Sequence, residues 1–232
     1  MNISAVLLAG GESRRMGHDK ATLVLHGKRL WEIQLDLLRK LRPKEIFVSA
    51  RSDPVWRPAD VYFAPDQTPS RGPLSGLAAT LPRIRADHLL ALAIDMPLMT
   101  EGFLRSLSNL KKPCCGVVPM LGDRAEPLAA IYPKGADSNV IAALSGPDFS
   151  LRSLSTRLIA AGKLRLVSVS KDEETYFRNF NEPSHFSSAC SFPLLPAHPE
   201  NADEKTGEDG LKAEGSKPAR NFSTNFGIST KS

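Results

Sequence analysis

The stretch that most constrains this chain is residues 3–20, ISAVLLAGGESRRMGHDK. An apolar run reaches from Ile3 through Val6, Leu7 and Leu8 and stops at adjacent glycines. A short continuous run, rather than an alternating one, suits a strand covered on both faces, as in a parallel sheet. Leu8 closes that strand, and Ala9, Gly10 and Gly11 follow with almost no side chain, so backbone N–H groups there can approach an anion or a base. Arg14, Arg15 and Lys20 add cations within the same loop. Guanidinium groups fork onto phosphate oxygens and an ammonium acts as a point charge. Bare backbone plus these cations, directly after a first strand, predicts a triphosphate site.

Two familiar phosphate loops are excluded by spacing. Gly11 and Gly17 are separated by five residues and followed by His18, which breaks the Walker A pattern. Gly10 and Gly11 are adjacent, so the dinucleotide G-x-G-x-x-G spacing is absent. The string as a whole, Leu8-Ala9-Gly10-Gly11-x-Ser13-x-Arg15-Met16-Gly17-x-Asp19-Lys20, resembles the signature of the MobA-like nucleotidyltransferases. Within them it is most similar to the molybdenum cofactor guanylyltransferases. The resemblance thins downstream, reaches about Pro183 and leaves out the tail.

That resemblance implies an α/β fold, a three-layer sandwich around a mostly parallel Rossmann-like sheet. It implies transfer of GMP from GTP to Mo-molybdopterin with release of pyrophosphate, Mg²⁺ as cofactor, and molybdoenzymes or their chaperones as further partners. Related enzymes with similar loops use CTP on molybdopterin, or act on sugar and polyol phosphates. The sugar-phosphate type carries Thr-Arg-Leu and a later Pro-Lys, whereas this chain has Arg15-Met16-Gly17-x-Asp19-Lys20. A non-catalytic nucleotide sensor on the same fold is the reading from another class.

Beyond the first loop, residues 30–41 carry Leu30, Ile33, Leu37, Leu38 and Leu41 at helical spacing, with Glu32, Asp36 and Arg39 opposite and Pro43 beyond the end. Trp31, on the flank, reads as packing. Residues 46–48 form the second buried strand, ending at Ser49. In an open parallel sheet, ligands sit at the carboxyl ends of strands, which selects Ser49 as it selected the glycine turn. The family commonly has asparagine there, and serine still donates and accepts a hydrogen bond. Residues 51–58 read as loop. Residues 61–63 read as a short strand, and Asp66 beyond it matches an aspartate that the family uses for the nucleotide; a turn-capping aspartate is the alternative.

The segment Gly72-Pro73-Leu74-Ser75-Gly76-Leu77 is similar to the family's approach to base and sugar; Gly72 and Gly76 serve equally for tight helix–sheet packing. Residues 88–94, HLLALAI, are the strongest strand, followed at once by Asp95-Met96-Pro97. A carboxylate at the mouth of a buried strand is costly unless paired or bound to a cation. Mg²⁺ takes one or two carboxylates plus substrate phosphates, so Asp95 is the metal candidate. Arg15, Lys20 and Asp95 are thus the candidate catalytic set. Leu8, Ala9, Gly10, Gly11, Lys20, Ser49, Asp66, Gly72 and Asp95 form the candidate nucleotide site.

Thr100 caps a helix to about Leu110. Residues 116–120 and 126–132 read as strands joined by a turn at 121–124; the resemblance implies an acceptor site in this half, which Arg124 and Glu126 could face, but solvated turn charges are the better reading. Asp148 caps a helix through Ile159, and residues 164–169 form a last strand. The segment Asn179-Phe180-Asn181-Glu182-Pro183 resembles the family's N-x-N-x-P, for metal water, pterin phosphate or a helix cap.

Composition bounds the rest. The 232 residues, 41% hydrophobic and 24% charged, suffice for one sizeable α/β domain, residues 1–190. The net charge of +5 comes with no long Lys/Arg block and no basic helix with interleaved aromatics, so no nucleic-acid partner is expected. Cys114, Cys115 and Cys190 show no C-x-x-C spacing, which speaks against zinc or a disulfide framework. No charged region with an apolar core opens the sequence, and no apolar run nears the roughly 20 residues of a membrane helix. A cytoplasmic protein with no membrane partner is the expectation. Residues 191–232 lose all apolar periodicity and read as a disordered tail.

Overall fold

The computed structural model describes residues 2–10 and 19–180. Strand β1 (Ser4–Leu8) lies inside the sheet, and every one of its residues is buried. After it come a small hairpin of β2 (Val24–Leu25) and β3 (Lys28–Arg29), then α1 (Leu30–Lys40) and β4 (Ile46–Ala50). The hairpin turn places His26 and Gly27 at φ 50° and 78°, the left-handed pair that a two-residue turn requires. The chain continues through β5 (Tyr62–Pro65), α2 (Pro73–Thr80), β6 (His88–Ala93) and α3 (Glu101–Leu110). Then follow β7 (Gly116–Leu121), β8 (Arg124–Ala125), β9 (Ala129–Pro133), α4 (Asp137–Ser145), α5 (Leu151–Ala160), β10 (Leu164–Ser168) and a 3₁₀ turn, Glu173–Phe177.

The main sheet has the order β10-β7-β9-β6-β1-β4-β5, with β8 paired to β7. Strand β1 is parallel to both neighbours, with Leu8 opposite Ser49 on one side and Ala93 on the other. Strand β9 runs antiparallel to β6 and β7, and the remaining pairs along that path are parallel. Alternate side chains of the central strands feed two cores. Ile3, Ala5, Leu7, Leu90 and Leu92 pack with α1 and α3 through Leu30, Leu35, Leu38, Leu104 and Leu107. Val6, Leu8, Leu89 and Ala91 pack with α2, α4 and α5 through Leu74, Leu77, Val140, Leu154 and Leu158. A sheet covered on both faces needs no polar alternation, which explains the continuous apolar strands. Each buried leucine contributes roughly 2 kcal/mol. The result is the expected three-layer α/β sandwich.

Several local expectations shift. The strand expected at 61–63 is β5, one to two residues later. The hairpin after β7 closes on β8, with Met120 opposite Ala125, and β9 begins only at Ala129. Pro127, which lacks an N–H, accounts for the break. Glu126 is not a solvated turn charge: it is buried and lies 2.6 Å from Arg124 and 4.0 Å from Arg152. Burial of a carboxylate is tolerated because guanidinium groups accompany it. The N-cap of α5 is Ser150, and Asp148 instead accepts the Ser150 N–H at 2.8 Å. Thr100 does cap α3, accepting from Phe103 N–H at 3.2 Å.

Candidate active site

The register of β1, β4 and β6 places their carboxyl ends side by side. Ala9 N–H donates to Ser49 O at 2.9 Å, and Ile94 N–H donates to Leu8 O at 3.2 Å. The backbone leaving β1 is therefore clamped between the strand that ends at Ser49 and the strand that leads to Asp95. This is the edge at which open parallel sheets bind ligands.

Lys20 and Asp95, 75 residues apart in sequence, meet there. Lys20 Nζ lies 3.4 Å from Asp95 Oδ2, with the two side chains 26% and 19% exposed. A closed charge-assisted contact is about 2.8 Å, so this pair is near enough to attract and too far apart to be locked. Lys20 starts a 3₁₀ turn, Lys20–Thr22, whose cap is Asp19: its Oδ1 accepts Ala21 N–H at 3.0 Å.

Asp66 stands at the adjoining strand end. Ser49 Oγ donates to Asp66 Oδ1 at 2.7 Å and Ser70 Oγ donates to Oδ2 at 3.1 Å. A β-carbon built on Gly10 would come within 2.6 Å of Asp66 Oδ2, so the carboxylate lies directly against bare backbone. The Ser49 hydroxyl is buried and engaged by Asp66, which gives Ser49 a supporting place in the cluster. Helix α2 seals this side. A β-carbon on Gly76 would sit 2.8 Å from both Leu8 Cδ2 and Ser49 Oγ, so glycine permits the close helix–sheet approach. Gly72, at φ 65°, turns the chain into α2 in a conformation that disfavours other residues. Pro73 takes the first helical position, and Ser75 Oγ accepts Arg71 N–H at 2.7 Å. The positive end of α2 thus borders the site.

The structure brings Leu8, Ala9, Gly10, Lys20, Ser49, Asp66 and Asp95 to one edge of the sheet, with Gly72 at the entry to α2. Gly11, Arg14, Arg15, His18, Asn181 and the segment 191–232 lie outside the described residues. Asn179 is exposed, and its neighbour Phe180 donates its N–H to Asp95 O at 2.9 Å, so the last described segment is tied to the acid. Among the described residues no three His, Cys, Asp or Glu gather as a metal cage. Asp95 alone at a strand mouth fits Mg²⁺, a cation that keeps several waters and completes its shell with substrate phosphates.

Two contributors were not legible in the sequence. Trp56, in a segment read as loop, donates its indole N–H to Asp19 Oδ2 at 3.0 Å. Gln34, on the buried face of α1, donates Nε2 to Met96 O at 2.6 Å. A polar residue at a core position of a helix was the available signal for Gln34. The loop that carries Trp56 is held by Arg57, which bonds Asp53 at 2.7 Å and also donates to Val61 O. The Arg57 hydrogen bond holds the Asp53 carboxyl below its ordinary range.

An open, mostly parallel sheet with bare backbone, acid and amine gathered at the carboxyl ends of its central strands has the layout of the nucleotide-binding α/β class. The model of the MobA-like NTP transferase domain matches residues 5–164, and the chain belongs to that family. It is 32% identical to a probable molybdenum cofactor guanylyltransferase of Opitutus terrae, over 78% of this chain and 91% of that protein. It is 30% identical to the molybdenum cofactor guanylyltransferase of Xanthomonas euvesicatoria, over 79% of this chain and 92% of that one. Among solved structures it shares its fold with molybdopterin-guanine dinucleotide biosynthesis protein A of Archaeoglobus fulgidus, with a TM-score of 0.66 and 24% identity over 81% of this chain and 96% of that one. The cytidylyltransferase of 2-C-methyl-D-erythritol 4-phosphate from Thermus thermophilus has the same fold, with a TM-score of 0.60 and 16% identity over 82% and 97% of the two chains. No helix among the described residues is long and apolar enough to cross a membrane.

Proposed function

We propose that this protein transfers GMP from GTP to Mo-molybdopterin, forming the guanine dinucleotide cofactor. A terminal phosphate oxygen of the acceptor attacks the α-phosphorus of GTP, the bond to the β-phosphate breaks, and pyrophosphate leaves. Such a reaction needs positioning and charge neutralisation rather than a covalent nucleophile on the protein. Backbone N–H groups of the glycine turn, at Gly10 and Gly11, are assigned to the phosphates, the Ala9 N–H being taken by Ser49 O. Lys20 and Arg15 offset charge on the departing pyrophosphate. Asp66 borders the glycine backbone on the nucleotide side and is held by Ser49; Gly72 opens α2 toward base and sugar. Asp95 would hold Mg²⁺, which would supply charge neutralisation for the phosphates.

The observation that carries the reading is the meeting of Lys20 and Asp95 at 3.4 Å on the ligand-binding edge, in a chain of this family. Relatives named guanylyltransferases support GTP over CTP. The test is pyrophosphate release by the purified protein with each of the four triphosphates, Mg²⁺ and Mo-molybdopterin. Turnover with GTP well above the others is expected. Preference for CTP would make the protein the cytidylyl counterpart, and binding without release would make it a sensor. Residues 191–232 are proposed to be dispensable: a chain cut after Ala189 should transfer GMP at the parent rate with an unchanged Tm.

A further inference from the structure

The two groups that meet at the ligand-binding edge, Lys20 and Asp95, each connect back to the same helix. On the lysine side, Trp31 of α1 stacks on Trp56, with ring centroids 5.6 Å apart and planes 15° from parallel. Trp56 Nε1 donates to Asp19 Oδ2 at 3.0 Å, and the other oxygen of Asp19 caps the turn that begins with Lys20. Trp31 Nε1 is buried with no hydrogen-bond partner, so Trp31 acts through its ring face alone. On the acid side, Gln34 lies one turn further along α1 and is fully buried. Its Nε2 bonds the carbonyl of Met96, the residue after Asp95, at 2.6 Å, while its Oε1 is buried and unpartnered. A buried amide with half its capacity unused is an expensive way to fill a core position. Leucine or methionine would pack there more cheaply.

We infer that α1 sets the separation of Lys20 and Asp95: Trp31, through Trp56 and Asp19, positions Lys20, while Gln34, through the Met96 carbonyl, positions Asp95. All four are positioning residues, and none needs to touch substrate. Side chains one helical turn apart share a face, so one rigid element references both sides of the gap. The inference rests on the proposed transfer reaction for its kinetic consequence, but not for its structural one.

Two conservative variants test it. Trp56→Phe keeps the stacked ring and removes the N–H donor. Gln34→Met keeps the volume and removes both the donor and the stranded oxygen, so a merely structural glutamine predicts an equal or higher Tm and unchanged activity. Positioning predicts instead that kcat for GMP transfer falls about tenfold in each variant while KM for GTP stays within about twofold and Tm is retained. Amide hydrogen exchange at Ala21, whose N–H is bonded by Asp19, should accelerate in Trp56→Phe. Parent-like kcat in both variants, or a loss of kcat matched by loss of folded protein, would overturn the inference. A parent protein that transfers no nucleotide would refute the assigned reaction alone; the brace then stands or falls on exchange at Ala21, and exchange as slow as in the parent would reject it.

Discussion

The two ends of the central strands each hold a carboxylate shielded from water, and they treat it in opposite ways. At the amino end, Glu45 precedes β4 with its side chain 2% exposed. Its Oε1 accepts from Ser4 Oγ at 2.5 Å and from Arg85 N–H at 2.6 Å, and Arg85 Nε lies 3.5 Å from Oε2. Short, converging donors satisfy this charge, and it ties β1, β4 and the approach to β6 together. At the carboxyl end, Asp95 has its side chain 19% exposed and takes a long contact from Lys20 at 3.4 Å. A carboxylate surrounded by donors is structure. One that faces a cation across a gap at a strand mouth retains capacity for a ligand.

Removing the carboxyl-end pair should give the largest effect. Asp95→Ala and Lys20→Ala are each expected to lower GMP transfer about a hundredfold or more, with a Tm near that of the parent, because the lost charge acts mainly on the transition state. Near-normal pyrophosphate release by either variant would erase the functional half of the contrast. Glu45→Ala should do the reverse. Stranding the Ser4 hydroxyl and the Arg85 N–H is expected to lower stability by about 2 kcal/mol in urea titrations, while folded protein keeps its kcat.

Gly76→Ala probes the carboxyl end by volume rather than charge. The new methyl would meet Leu8 and Ser49, and a loss of about 2 kcal/mol with a raised KM for GTP is expected. Unchanged stability would mean that α2 is free to move off the sheet.

The smallest effect belongs to the amino end again. His88 opens β6 with Nε2 3.1 Å from Lys112 O, and burial pushes its pKa below the ordinary 6.5. The unfolded chain then binds the proton more readily, so stability is full above 6.5 and declines as pH falls below it. His88→Gln should flatten that slope in thermal melts from pH 7 to 5, while a slope that persists would place the titrating group elsewhere.

Much of this was legible in the chain. The uninterrupted apolar runs at β1 and β6 announced strands buried on both faces, and Asp95 stood out because a charge directly after such a run needs a cation. Thr100 and the helical spacing of α1 were readable because capping and amphipathicity are local. The failures share a cause. Glu126 looked solvated because its turn neighbours are polar, yet it is buried, with Arg124 at 2.6 Å and Arg152, from another element, at 4.0 Å. Trp56 fell in a segment that read as loop, and its indole N–H reaches Asp19 while Trp31 of α1 stacks on its ring.

The sequence by itself determined which segments become strands and helices, where bare backbone occurs, and that a basic loop follows the first strand. Those properties depend on propensity and period, which act over a few residues. Only the tertiary structure decided that Lys20 faces Asp95, that Asp66 leans on Gly10, and that one helix braces both sides of the gap. Such pairings are set by strand order and register, and groups 75 residues apart carry no local trace of the distance that will separate them.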